Sequence, residues 1–148
     1  LRFLVASMAI SSAATAFAQN AALSSDTAQL SPSGGTVVLT AATTYDSPPG
    51  ALGWSIALPA DWTLVSVTVP HVPAIAPEAG STGTLEFAFT QVPADRAEFT
   101  IRVSYPANAG SAQATPKVLL RTSGKLTTLT PAPVELRGVA VAGQKSRN

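Results

Sequence analysis

The acidic residues and a single histidine are the side chains of this sequence that could do acid–base or nucleophilic chemistry. The histidine is His71, and the carboxylates are Asp26, Asp46, Asp61, Asp95, Glu78, Glu86, Glu98 and Glu135. A Ser-His-Asp triad is often built on a Gly-x-Ser-x-Gly turn, which this sequence lacks. His71 instead lies in His-Val-Pro-Ala-Ile-Ala-Pro, a stretch typical of a solvated loop. We therefore expect no catalytic residue and a protein that is not an enzyme.

The carboxylates also show no pattern of a metal site or a paired acid–base site. Glycoside hydrolysis needs two carboxyl groups that face one cleft, whereas Asp61 and Asp95 each follow Pro-Ala in a turn that explains them. Loop oxygens of Asp26 and Asp46 could contribute to a calcium site, but no Asp-x-Asp run accompanies them. Zinc needs three or four nitrogen or sulfur ligands, and the chain has one histidine and no cysteine. We expect no metal and no cofactor.

The aromatic residues are the remaining candidates for recognition. Trp54 is in phase with Leu52 and Ile56 in an alternating pattern, which predicts that it lies in a hydrophobic core. Trp62 follows a turn and begins a face of mixed polarity, so it either caps the core or exposes its ring at the rim. Tyr45, in Thr-Tyr-Asp-Ser-Pro-Pro-Gly, is the other candidate for an exposed ring. Trp62 and Tyr45 are therefore the candidate ligand-binding residues.

The first residues of the sequence resemble a leader for export. Arg2 precedes an apolar stretch over 3–10, and Ala16-Phe17-Ala18 is a cleavage pattern of small residues, which predicts a signal peptide over 1–18 and a mature chain from Gln19. We therefore expect a secreted, periplasmic or cell-surface protein. After the leader, no apolar run approaches the ~20 residues of a membrane-spanning helix, so no further membrane segment is expected.

Charge and cysteine content narrow the class of partner. Without Arg2, the 9 basic residues of the whole chain become eight and balance the 8 acidic ones. The basic residues are scattered, whereas nucleic-acid binding needs clustered cations that displace counterions from phosphates. We therefore expect no nucleic acid as a partner. The absence of cysteine means that the core must hold the fold without disulfides.

Short alternating segments separated by turn residues predict an all-β fold. We interpret 19–33 as a flexible arm, 34–138 as a two-sheet antiparallel β-sandwich of about eight to nine strands, and 139–148 as a tail. The predicted strands are Thr36–Ala42, Leu52–Leu58, Trp62–Val69, Leu85–Phe89, Phe99–Tyr105, Lys117–Thr122, Lys125–Thr130 and Val134–Arg137. In the third of these, Val65 and Val67 are predicted to share one face. Ser123-Gly124 predicts a hairpin turn, and 71–83 a long loop.

Three consecutive segments resemble the cohesin-like domains of bacterial extracellular proteins. They read GALGWSIALPADWTLVSV, GTLEFAF and AEFTIRVSYP, and the resemblance extends over roughly 32–136. Immunoglobulin-like carbohydrate-binding modules share the same outline. The resemblance implies a nine-stranded jelly-roll sandwich that holds a protein partner or a glycan outside the cell. Pro59-Ala60-Asp61 departs from the Asp-Pro order of cohesins, and the resemblance assigns no functional residue.

Two functions follow as hypotheses. The first is an exported, non-catalytic module for protein–protein interaction or assembly, which would use a sheet face rich in Thr, Val and Leu such as that of Lys117–Thr130. The alternative is a carbohydrate-binding module that stacks sugars on Trp62 or Tyr45. The low aromatic content of 6% favours the protein partner.

Overall fold

The computed structural model of the chain describes residues 19–68 and 73–138. The predicted leader over 1–18, the tail over 139–148 and His71 lie outside the described residues. The described residues form nine strands: β1 (Asn20–Ser25), β2 (Gly35–Thr44), β3 (Ala51–Ala57), β4 (Thr63–Thr68), β5 (Thr84–Phe89), β6 (Arg96–Tyr105), β7 (Ala112–Thr122), β8 (Lys125–Leu129) and β9 (Val134–Leu136). No helix among these residues is long and apolar enough to cross a membrane.

The strands pair into two antiparallel sheets. One has four strands in the order β1-β2-β6-β4, and the other has five, with the order β5-β3-β7-β8 and with β9 on the first residues of β7. The two sheets enclose a continuous core of buried residues. The predicted all-β sandwich is therefore confirmed.

The core follows from strict alternation along the strands. Successive side chains of a strand point to opposite faces, so the apolar residues at every second position of β3, β5 and β6 all face inward. Trp54 is only 2% exposed. Its ring meets that of Phe99 edge-to-face, with 5.9 Å between the ring centroids. The prediction that Trp54 lies in the core is confirmed.

One buried hydrogen bond joins the two sheets through the core. The indole Nε1–H of Trp54 on β3 donates to the hydroxyl of Thr43 on β2, at 2.7 Å. Thr43 is fully buried, and it is the one buried polar residue among the described residues. Because a buried donor without a partner is costly, this hydroxyl is what allows a tryptophan to occupy the centre of the sandwich.

Strand β1 corrects the interpretation of 19–33 as a flexible arm. Its six residues pair with β2 from Asn20–Thr44 to Ser25–Leu39, and Leu30, further along the segment, is 1% exposed. The prediction was wrong because β1 is an edge strand whose side chains are mostly small, alanine and serine among them. Backbone pairing and a single buried leucine, Leu23, hold such a strand, and hydrophobic alternation therefore does not reveal it.

Strand β4 corrects the predicted phase of its valines. The pairing with β6 shifts between Leu64 and Ser66, so Val65 is an extra residue that bulges out of the ladder and is 40% exposed. After the bulge, Val67 packs against the core. The prediction that Val65 and Val67 share a face is therefore wrong, because one inserted residue reverses the alternation.

Strand β7 begins five residues earlier than the predicted start at Lys117 and contains a proline. Pro116 pairs with Ile56 of β3 on one side. On the other side of β7, the pairing with β8 ends at Val118–Leu129 and the pairing with β9 ends at Ala114–Val134. Pro116 lies between these two pairs. Proline has no N–H to donate, and on this side of β7 no residue in the described part of the chain pairs with Pro116 and would accept a hydrogen bond from it.

Two kinds of turn have the conformations that their residues predict. Ser123 and Gly124 both have positive φ, of 50° and 78°, which is the type I′ geometry of a two-residue hairpin between β7 and β8. Asp61 and Asn108 close two of the three Pro-Ala-Asx turns, with φ of 68° and 59°. Short Asx side chains tolerate this left-handed conformation.

Candidate interaction surface

The structure buries both aromatic residues that the sequence singled out for ligand binding. Trp62 is 2% exposed and Tyr45 is 7% exposed. Trp62 packs against the ring of Tyr105, with 5.3 Å between the ring centroids, and so caps the core. Sugar stacking needs a ring face open to solvent, and neither residue offers one in this structure. Neither Trp62 nor Tyr45 therefore has the exposed ring face that stacking on a sugar would need.

The hydroxyl of Tyr45 has a structural partner instead. It donates to the backbone oxygen of Pro93, and so ties the segment after β2 to the turn before β6. Burial raises the pKa of the Tyr45 phenol above its ordinary value of 10.0, and the nearby Asp95 carboxylate raises it further. Tyr45 is therefore a neutral hydrogen-bond donor at physiological pH.

The acidic residues considered for calcium are not brought together. The Asp26 carboxylate accepts from the backbone N–H of Val38 at 3.0 Å, whereas Asp46 follows the far end of β2. The strand between them separates the two sites by roughly 25 Å, at ~3.3 Å per residue. Among the described residues, no three His, Cys, Asp or Glu side chains form a group that could hold a metal ion.

The outer face of the five-stranded sheet is where the structure offers a surface for recognition. The outward positions of β3 all carry small residues, namely Ala51, Gly53, Ser55 and Ala57. At the centre, Gly53 pairs with Ala88 of β5 on one side and with Leu119 of β7 on the other. The small residues along β3, together with Ala88, make a depression roughly 20 Å long, at ~3.3 Å per residue.

Two aliphatic side chains border this depression. Ile75 lies beside β5, where its N–H and C=O both bond to Ala88, at 3.0 and 2.9 Å. Its side chain is 60% exposed, and that of Leu119 on the opposite side is 38% exposed. The two backbones are separated by three strand spacings, or roughly 14 Å. We call this surface the β3 trough, with small residues of β3 and Ala88 as its floor and Ile75 and Leu119 as its walls.

The trough consists of two adjoining depressions. One, of about 270 Å³, lies beside Ile75, Glu86 and Lys117. The other, of about 260 Å³, lies beside Arg121 and Leu126, which is 55% exposed. Gly53, Ala88 and Leu119 line both depressions. An elongated segment of another molecule could therefore contact both at once.

The outer face of the four-stranded sheet has a different character. One row across its strands consists of hydroxyl side chains only, from Ser24 through Thr40 and Thr100 to Thr68. The hydroxyls of Thr68 and Thr100 lie 2.7 Å apart and bond to each other. Of the exposed large hydrophobic residues in the described part of the chain, only the bulged Val65 lies on this sheet. The apolar surface is thus concentrated on the other face.

Sequence reasoning found one side of the trough and missed the rest. The predicted binding face, Lys117–Thr130, includes the exposed Leu119 and Leu126. It omits β3 and Ile75, which the sequence predicts to be a core strand and part of a loop. The alternation of small residues in Ala51–Ala57 was the available signal, because the outward positions of an ordinary surface strand carry larger polar side chains.

Comparison with known proteins by sequence gives no match to a protein-family model and no match to a curated protein. By structure, the chain is similar to a type II cohesin domain from the cellulosome of Acetivibrio cellulolyticus, with a TM-score of 0.56, 9% identity, and coverage of 80% of this chain and 94% of that one. It is similar to a non-cellulosomal cohesin from the archaeon Archaeoglobus fulgidus, with a TM-score of 0.56, 11% identity, and coverage of 81% and 91%.

A third similar structure is the full-length major pilin SpaD from Corynebacterium diphtheriae, with a TM-score of 0.52 and 13% identity over 79% of this chain and 35% of the pilin. At these identities the likeness concerns the fold alone. The fold is therefore a cohesin-like β-sandwich, as the resemblance in sequence pattern implied.

Proposed function

We propose that this chain is an exported, non-catalytic module that binds a protein partner on the outer face of its five-stranded sheet. The observation that carries the proposal is the β3 trough, which is bordered by three of the four exposed large hydrophobic residues in the described part of the chain, Ile75, Leu119 and Leu126. Exposed apolar patches bordered by polar residues are typical of interaction sites. The cohesin-like fold supports the same class of function.

The chemistry of the trough favours a protein over a glycan. Its floor is made of glycine, alanine and serine, and its walls are isoleucine and leucine. Aliphatic side chains of a protein partner would fill such a surface and remove it from water. A sugar would lack the flat aromatic ring that it stacks on, because Trp54 and Trp62 are both in the core.

A pair of matched variants tests the proposal. Ala88→Tyr places a bulky side chain on the trough floor, and Ala42→Tyr makes the same change at an outward position of β2, on the other sheet. Both substitutions suit a strand, since tyrosine has a high β-propensity. Each variant is cross-linked to the secreted proteins of its source, and the captured proteins are identified by mass spectrometry.

We expect wild type and Ala42→Tyr to capture the same protein and Ala88→Tyr to lose it. Equal capture by all three would contradict the proposed surface. Retention of the wild-type chain on cellulose, chitin or xylan, without capture of any protein, would instead favour the carbohydrate-binding alternative.

A further inference from the structure

The wall of the trough on β7 carries two cations. Lys117, Leu119 and Arg121 occupy successive outward positions of this strand, and all three are exposed. Lys117 borders one depression of the trough and Arg121 borders the other, with Leu119 between them. Each half of the trough therefore has a cation at its edge, and the half beside Lys117 also borders Glu86 on the opposite side.

Neither cation has an acidic partner within the described part of the chain. The one ion pair found there joins Arg96 to Glu98, on the other sheet. Glu86 lies across β3 from Lys117, since both pair with Ser55. Two strand spacings separate the backbones of Glu86 and Lys117 by about 10 Å.

A second carboxylate on this sheet, that of Glu135, lies further from the two cations. Glu135 accepts a hydrogen bond from Gln113 at 3.1 Å. Gln113 is four residues from Lys117 along β7, or roughly 13 Å. Neither Lys117 nor Arg121 therefore forms an ion pair with a carboxylate in the described part of the chain.

We propose that the partner of the trough carries an exposed aliphatic side chain between two carboxylates about 13 Å apart. This inference rests on the proposed function and adds the chemistry of the partner. The distance follows from the separation of Lys117 and Arg121 by four positions along β7, at ~3.3 Å per residue. The aliphatic group contacts Leu119 over Gly53, and the carboxylates meet the two cations.

The spacing translates into two sequence patterns. In an extended segment, the acidic residues are four positions apart with the aliphatic residue midway, because the rise per residue matches that of β7. In a helix, with a rise of ~1.5 Å per residue, a separation of eight positions spans about 12 Å and keeps both acidic residues on one side. Both patterns place the same three groups on one side of the partner.

A selection from random peptides tests this chemistry without knowledge of the natural partner. The full chain is immobilised through one terminus, and a phage-displayed library of random peptides is selected on it after removal of clones that also bind Ala88→Tyr. The remaining clones depend on the trough. Their sequences and their affinities for wild type and variants are then measured.

We expect the enriched clones to carry the aliphatic residue between two acidic ones. Exposed charge pairs each contribute a few-fold in affinity, so the double variant Lys117→Glu/Arg121→Glu should weaken binding by about tenfold or more. Raising the salt concentration from 50 to 500 mM should weaken the binding of wild type. Arg102→Glu, the same change on the outer face of β6, is the control and should have no effect.

Two results would overturn the inference, and they are distinguishable. Clones that require an open trough but show no acidic preference, and bind the double variant as well as wild type, would refute the partner chemistry and leave the proposed surface intact. The absence of any clone that distinguishes wild type from Ala88→Tyr would refute both.

Discussion

Because Trp54 donates a buried hydrogen bond to Thr43, a substitution of Thr43 that keeps the size of its side chain should still lower the free energy of unfolding. Thr43→Val replaces the hydroxyl with a methyl group of similar size and removes the acceptor of the indole N–H. Thr43 is 0% exposed and Trp54 is 2% exposed, so water cannot replace the lost partner. A buried donor left without a partner costs about 1–3 kcal/mol. For a domain of this size, each 1 kcal/mol lowers Tm by roughly 3–6 °C.

A double-mutant cycle separates this bond from the packing around it. Trp54→Phe removes the donor but also part of the ring, so its loss includes a cavity contribution. If the hydrogen bond is what couples the two positions, Thr43→Val should cost about 1 kcal/mol less in the Trp54→Phe background than in wild type.

Urea unfolding, followed by tryptophan fluorescence and circular dichroism, measures these free energies. Thr100→Val is the control, because the Thr100 hydroxyl bonds to Thr68 on the outer face, where water can substitute. Its cost should stay within about 0.5 kcal/mol. Equal losses for Thr43→Val and Thr100→Val, or strictly additive losses in the cycle, would refute the role assigned to the buried bond.

Three further predictions concern the core, the pH dependence and the amino terminus. Trp54→Ala should lower the free energy of unfolding by roughly 3–5 kcal/mol and Glu86→Ala by no more than about 0.5 kcal/mol, and similar losses in urea melts would contradict the assigned strand phase. Because the pKa of Tyr45 is raised on folding, its contribution to stability is fully present below the unfolded pKa of 10.0 and is lost as the pH rises above that value. Tyr45→Phe should therefore reduce the fall in stability between pH 9 and 11, and an unchanged fall would show that other groups cause it. Mass spectrometry of the exported protein should find Gln19 at its amino terminus, and an uncleaved leader in that product would contradict the predicted signal peptide.

The sequence by itself predicted the strands whose inward faces are apolar and the turns between them. Trp54, Phe87 and Phe99 recur in a period of two with their neighbours, and the pleat of a strand turns that period directly into an inner and an outer face. Ser123-Gly124 likewise has the local chemistry of a tight hairpin. These features depend on residues close together in the chain, so a reader of the sequence can find them.

The features that sequence reasoning missed depend on pairing between distant segments. The mostly small residues of β1 form a strand only because they pair with the edge of β2. The bulge at Val65 arises where the pairing of β4 with β6 shifts by one residue. Pro116 is tolerated inside β7 because β8 and β9 leave a gap beside it.

The candidate site belongs to the same group. Gly53, Ile75, Ala88 and Leu119 come from four separate parts of the chain, and none of them carries a signal of function alone. Alternation indicates which side chains face outward, but it does not indicate which strands become neighbours. The order β5-β3-β7-β8 places the small residues of β3 between two aliphatic walls. Only the tertiary structure decides this, because strand order results from the packing of the whole sandwich rather than from any local pattern.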